Sequence, residues 1–277
     1  MTDPQHVRGL RELAPGFDAF LIDQFGVLRD GRGAYPEAAA TLARLKRSGA
    51  KIIILSNSGK RSAGNGKRLA ALGFDRDSWD MFLTSGEVAW HILARESAGR
   101  ASSRCLLISR DGDTSPIDGL DIVRTESGED ADTILIAASE GDIHDLGHYE
   151  RLLAPAARRG VPCLCTNPDK IMLTRDGTSF GAGRIAELYG ELGGTVRWIG
   201  KPFPDIYDWA LEFLGHPQRI CCIGDSIEHD IAGAARAGLS SMLVKTGILA
   251  DADEAELDRL FRRHDARPDY VAERFSW

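Results

Sequence analysis

Long apolar runs are missing from this 277-residue chain. Its aliphatic stretches, such as Ile52 to Leu55 and Leu106 to Ile108, fall far short of the about 20 residues needed to cross a bilayer, so no membrane partner is expected. An excess of positive charge is also missing. Lys and Arg number 34 against 41 Asp and Glu, a formal net charge of −7, which leaves no basic surface for nucleic acid. The opening residues, Met1 to His6, lack the basic patch and apolar stretch of a secretory signal, and a cytoplasmic location is the expectation. Cysteine is scarce and odd in number. The five, at 105, 163, 165, 221 and 222, sit mostly in apolar runs where a reduced thiol packs as a small hydrophobe, so a disulfide framework is not expected. Repeats and low-complexity tracts are absent too. What is present, 43% hydrophobic and 27% charged residues, suffices for one large globular domain or two of ordinary size.

Short apolar runs alternate with amphipathic or Ala-rich segments of helical length, the pattern of parallel strands joined by crossover helices. The fold class is α/β. Strands are expected at Ala19 to Ile22, Lys51 to Leu55, Cys105 to Ser109, Thr133 to Ala138, Pro162 to Thr166, Val196 to Ile199, Ile220 to Ile223 and Ser241 to Val244. Helices are expected at Glu37 to Ser48, after a cap at Ser62, and at Ile143 to Arg159, Ile185 to Leu192, Ile206 to Leu214 and Ile231 to Ala237. The irregular polar stretch Arg110 to Asp132 lies within what reads as a second domain inserted into the first.

Ligands of open α/β sheets sit outside the carboxyl ends of the strands, where polar residues distant in sequence converge. Asp23, Ser56 and Asp225 each follow an apolar run directly, and Asp230 lies five residues beyond Asp225. Two carboxylates placed side by side at buried strand ends repel each other unless a cation lies between them. A hard divalent ion, most simply Mg²⁺, meets that need with Asp23 and Asp225 as its carboxylates. Lys201, after another short strand, offers an ammonium, while Ser56, Asn57 and Ser58 offer hydroxyl and amide donors. Together they describe a phosphoryl site.

In order along the chain, Asp23-Gln24-Phe25-Gly26-Val27-Leu28, Leu55-Ser56-Asn57, Gly200-Lys201-Pro202 and Gly224-Asp225-Ser226-Ile227-Glu228-His229-Asp230-Ile231 resemble the four motifs of the haloacid dehalogenase (HAD) superfamily. Thr166-Asn167-Pro168-Asp169, Gly181-Ala182-Gly183 and Arg267-Pro268-Asp269-Tyr270-Val271 resemble its class IIA subgroup, which carries a large α/β (C2) cap and includes phosphatases of nucleotides, pyridoxal phosphate and phosphoglycolate. The resemblance implies a Rossmann-like parallel-sheet core with an inserted α/β cap; the alternation places the cap at 87–180 and so the core at residues 1–86 and 181–277. The resemblance also implies a Mg²⁺-dependent phosphatase that hydrolyses a small phosphorylated metabolite through an aspartyl phosphate, with a homodimer left open as its assembly. Asp23 would be the nucleophile and a metal ligand, and Ser56 and Lys201 would stabilise the transferring group. Asn57 and Ser58 would join them in binding phosphate. The backbone carbonyl of Phe25 and the Asp225 carboxylate would complete the metal's protein ligands, Asp230 would act on it through water, and Asn167 and Asp169 would lie by the substrate at the cap hinge.

The family's phosphatases usually carry a second aspartate two positions after the nucleophile, which protonates the leaving oxygen. Phe25 stands there and can do no such work. General acid catalysis of this kind is typically worth about 10²–10⁴ in rate, so the reading divides. Either the substrate has a leaving group that needs little protonation, or the protein turns over slowly or serves as a phosphate-ligand-binding or regulatory relative.

Other signals have duller explanations. His144 and His148 stand four apart but lack a third zinc ligand, and Arg61 and Arg68 stand where a nucleotide P-loop after Gly59-Lys60 or Gly66-Lys67 needs Ser or Thr. Asp230 reads equally as a first-turn acid favoured by a helix dipole, and Asn167 as the start of an Asx turn.

Overall fold

The computed structural model describes residues 3–97, 103–174 and 177–277. In chain order, β1 (Gln5–His6), β2 (Ala19–Asp23), β3 (Lys51–Ser56) and β4 (Met81–Thr84) begin a first sheet. β5 (Ser103–Ile108), β6 (Ile122–Thr125), β7 (Thr133–Ile136) and β8 (Cys163–Cys165) form a second. β9 (Ile171–Thr174) and β10 (Gly177–Phe180) pair antiparallel, β11 (Val196–Trp198) joins the second sheet, and β12 (Ile220–Gly224), β13 (Ser240–Val244) and β14 (Tyr270–Ala272) return to the first.

The first sheet runs β1-β14-β13-β12-β2-β3-β4 and the second β11-β8-β7-β5-β6. Parallel pairing holds from β1 through β3 in the first and throughout the second. Strands of this type are covered on both faces and so read as continuous apolar runs. Ile52, Ile53 and Ile54 of β3 are fully buried, as are Ile134, Leu135 and Ile136 of β7. Edge strands carry weaker signals: β6 alternates with exposed residues and β1 has only two, both exposed. They follow no apolar run, and the sequence gives no warning of them.

Contacts divide the chain into two units. One comprises Met1–Ser56, Ala63–Leu83 and Lys201–Trp277, the other Asn57–Ser62 and Thr84–Gly200. In the first, helix Ala38–Arg47 turns Ala38, Thr41, Leu42 and Leu45 inward at helical spacing, and its basic residues fall in the last turn, where the helix dipole favours them. In the second, helix Leu146–Arg158 is capped by Asp145, whose Oδ1 accepts from His148 N at 2.8 Å. The helix starts later than its apolar pattern suggests because Asp145 supplies the cap. The second unit runs on to Gly200, whereas sequence patterning drew the insert at 87–180. Strand β11 pairs with β8, and Ile185, Ala186 and Tyr189 of helix Ala182–Glu191 are buried in the second core, so local alternation alone misassigns this stretch.

No helix among the described residues is long and apolar enough to cross a membrane. All five cysteines are buried and unpaired, and burial pushes the Cys105 and Cys165 thiols up to about 12, which leaves them inert packing groups. Ile134 sits fully buried at the centre of the second sheet. Ile134→Ala is expected to cost about 2–5 kcal/mol through lost transfer energy and the cavity left behind. Urea unfolding followed by circular dichroism measures it, and a loss below the noise of the fit would refute the assigned packing.

Candidate active site

Three adjacent parallel strands, β12, β2 and β3, deliver the site's polar residues to one end of the first sheet. Asp23 closes β2 and pairs with Leu55, so Ser56 lies one residue further along β3. Ile223 pairs with Ile22, which sets Gly224 level with Asp23 and Asp225 just beyond. The chain then makes a wide π-type turn over Ile227–Ile231, in which Ile231 N–H reaches back to Ser226 O at 3.1 Å. This turn, not the first turn of an ordinary α-helix, folds Asp230 back toward the strand end, where its Oδ2 accepts from Ser226 N at 3.1 Å. Such turns insert one residue into a helix and often serve functional sites.

Lys201 binds the group together. Its Nζ donates to Asp23 Oδ1 at 2.5 Å and to Asp230 Oδ1 at 2.6 Å, and all three side chains are buried. One ligand oxygen from each of Asp23, Asp225 and Asp230 lies within 4.8 Å of the others, the only such group of three or more among the described residues. Burial alone would discharge Lys201, but the two carboxylates outweigh it and hold the ammonium charged. Burial likewise pushes the Asp23 carboxyl well above the usual range, opposed by Lys201 and reinforced by Asp230 and Asp225. Asp225 rises to about 7, first through burial and then through the Asp230 charge, against the Ile248 amide. One ammonium facing three carboxylates leaves negative charge over, and removing a partner from a buried pair costs about 3–5 kcal/mol. The donor set, all hard oxygen at the mouth of a strand end, fits Mg²⁺. Asp23 and Asp225 each have one oxygen engaged by a protein donor, while both Asp230 oxygens are engaged.

Phe25 is the second residue after β2. Its side chain is 50% exposed, with the Arg29 guanidinium 5.6 Å from the ring centroid. No proton donor stands in that side chain.

The remaining expected residues gather within the second unit. Asn57 Nδ2 donates to Asp169 Oδ1 at 3.3 Å, and Asn167 Oδ1 accepts from Asp169 N at 3.0 Å, so the Asx turn and the contact to Asn57 coexist. Ser58 is engaged through its backbone, its carbonyl accepting from Gly86 N and Ser85 Oγ at 3.1 Å each, and its Oγ accepts from Lys60 N at 3.3 Å. Arg61 forms a two-bond pair with Glu87 at 2.7 and 2.8 Å, which ties the same segment to the helix Ser85–Ser97. His144 precedes its helix and stacks on His148, centroids 4.1 Å apart. A further strand end was unmarked by sequence reading: Ile248, just past β13, donates its N–H to Asp225 Oδ2 at 3.1 Å. The signal available for it was the polar Lys245-Thr246-Gly247 following an apolar run, the same pattern that marks Asp23 and Asp225.

A family model described as haloacid dehalogenase-like hydrolase matches residues 20–123, and one described as HAD-hydrolase-like matches residues 198–277. The chain is 27% identical over 265 residues to a D-glycerol 3-phosphate phosphatase of Mycobacterium tuberculosis, covering 95% of this chain and 71% of that protein. It is similar in structure to a haloacid dehalogenase-like hydrolase from Brucella suis 1330, with a TM-score of 0.81, 27% identity and coverage of 97% and 99% of the two chains. A glycerol phosphate phosphatase from Mycobacterium tuberculosis in complex with magnesium aligns with a TM-score of 0.72 and 25% identity over 97% of this chain and 78% of that one.

A carboxyl raised by folding destabilises the fold once it is ionised. For Asp225 that cost is absent below about pH 4, the unfolded value, and complete above about 7. A bound divalent cation relieves it. The rise in melting temperature on adding millimolar Mg²⁺ after EDTA treatment is therefore expected to be larger at pH 8 than at pH 5.5. Equal increments at the two pH values would contradict the assigned electrostatics.

Proposed function

The chain belongs to the haloacid dehalogenase superfamily, and on that premise we propose that it is a magnesium-dependent phosphatase of small phosphorylated compounds. The observation that carries this reading is the Lys201 ammonium held at 2.5 and 2.6 Å between Asp23 and Asp230, with Asp225 completing the group. The magnesium-bound phosphatase structure to which the chain is similar supports the choice of metal. Asp23, Asp225 and the Phe25 carbonyl are the residues that would hold the ion, with Asp230 acting through water. When bound, Mg²⁺ neutralises charge on the phosphoryl oxygens and orients them.

Asp23 attacks phosphorus through a carboxylate oxygen. The new O–P bond forms as the ester O–P bond breaks, and water later cleaves the aspartyl phosphate and restores the carboxylate. Lys201 screens the charge of the transferring group and holds Asp23 in place. Ser56 supplies a hydroxyl to the phosphate. Within the second unit, Asp169 fixes the Asn57 amide. The leaving oxygen departs with the bonding electron pair and must find a proton, which the Phe25 ring does not provide. Substrates with stable leaving anions, acyl and aryl phosphates, are accordingly favoured over alkyl monoesters. Phe25 also favours a second reading, a protein that binds phosphorylated ligands with little turnover.

Assays of acetyl phosphate, p-nitrophenyl phosphate and D-glycerol 3-phosphate with Mg²⁺ separate the two. Asp23→Asn is expected to lose at least about 10³-fold in kcat/KM on the first two. Full activity in that variant would remove Asp23 from the nucleophile's role, and no turnover by the wild type of any substrate would establish the binding reading instead. Phe25→Asp is expected to gain about 10²-fold or more on D-glycerol 3-phosphate, with little change on acetyl phosphate. An equal change on both would show that leaving-group protonation is not what Phe25 withholds.

A further inference from the structure

We propose that Thr246, Gly247 and Ile248 form a strap that aims the metal's protein ligands, with Thr246 as a positioning residue for both Asp225 and the Phe25 carbonyl; this rests on the magnesium reading above. Two residues of this segment, with Gly247 between them, bond different partners. Thr246 Oγ donates to Gly26 O, and Ile248 N–H donates to Asp225 Oδ2 at 3.1 Å.

These bonds fix two things at once. Gly26 N–H is already committed to Arg29 O at 2.8 Å, so with its carbonyl held by Thr246 the residue is pinned on both sides. In a trans peptide the carbonyl points opposite the following N–H, which turns the Phe25 carbonyl away from Arg29. Asp225 Oδ2 meanwhile lies in a slot between two glycines. A Cβ on either Gly26, at φ +95°, or Gly247, at φ +58°, would collide with that oxygen. With Oδ2 confined and bonded to Ile248 N, rotation of the carboxylate is blocked and Oδ1 is the oxygen left to present to a cation.

The strap adds little to the core. Gly247 is exposed, Thr246 is half-buried, and the Ile248 side chain is 74% exposed. Leu249, buried in the cluster with Leu257 and Phe261, anchors its far end. Two directed bonds from a segment that buries so little serve orientation. Outer partners of this kind typically govern metal affinity by about 10–100-fold.

Calorimetric titration of Mg²⁺ into EDTA-treated wild type, Thr246→Val, Thr246→Ser and Thr246→Ala tests the strap, with melting temperatures taken in EDTA. Thr246→Val keeps the volume and removes the hydroxyl, so its Mg²⁺ affinity is expected to fall about 10-fold or more while its melting temperature in EDTA stays near that of the wild type. Thr246→Ser, which retains the donor, is expected to restore wild-type affinity. Unchanged affinity in Thr246→Val overturns the proposal. Should that variant fail to fold, Thr246→Ala decides, since it too removes the hydroxyl that holds Gly26 O: weakened affinity supports the strap and wild-type affinity overturns it. A wild type that binds no Mg²⁺ would refute the metal reading itself, a result distinct from a wild type that binds and a Thr246→Val that binds as well.

Discussion

Lys201 stands between Asp23 and Asp230 with almost no access to water, and this buried ammonium sets the terms for the first unit. Three carboxylates cannot be carried into a low-dielectric strand end without counter-charge. One ammonium neutralises part of the group and leaves a negative excess that a divalent cation would balance. The neighbouring structure serves that balance. The π-type turn brings Asp230 within reach of Lys201, and the Ile248 amide holds one oxygen of Asp225. Such an arrangement stores electrostatic cost in the fold and releases it on binding, as active sites commonly do.

Around the acids, backbone geometry contributes as much as side chains. Parallel register sets Asp23, Ser56 and Asp225 at neighbouring strand ends without any contact between them being needed. Positions 56 and 57 are adjacent in the chain yet fall in different units. Within the second unit the segment from Asn57 is held by Asp169, Gly86 and Glu87, a denser set of directed bonds than a solvent-facing turn requires. Phe25, two residues past Asp23, places a half-exposed apolar ring, with the Arg29 guanidinium over it, in the loop that follows β2.

The central strands were legible because strands buried on both faces are built on apolar runs, and β2, β3, β7 and β12 each carry one. Edge strands β1 and β6 were not, because at least half of their residues are exposed and they carry no such run. The limit of the second unit at Gly200 was illegible for another reason: whether β11 extends one parallel sheet or another is decided by its partner, β8, and not by its own residues. Asp23, Lys201, Asp225 and Asp230 could be picked out by strand-end position and by resemblance. Thr246 and Ile248 share the strand-end pattern through Lys245-Thr246-Gly247, but one acts through a hydroxyl and the other through a backbone N–H that any residue but proline would supply, so the pattern does not say what they bond.

Residue order alone therefore determined the α/β class, the apolar strands that must be interior, and the polar groups that must emerge at their ends, because each follows from hydrophobic period and the cost of burying charge. Tertiary structure decided which acid shares Lys201, which oxygen of Asp225 is tied down, and where the second unit stops. Those are matters of pairing between distant segments, and pairing energy depends on the partner brought alongside rather than on the segment itself.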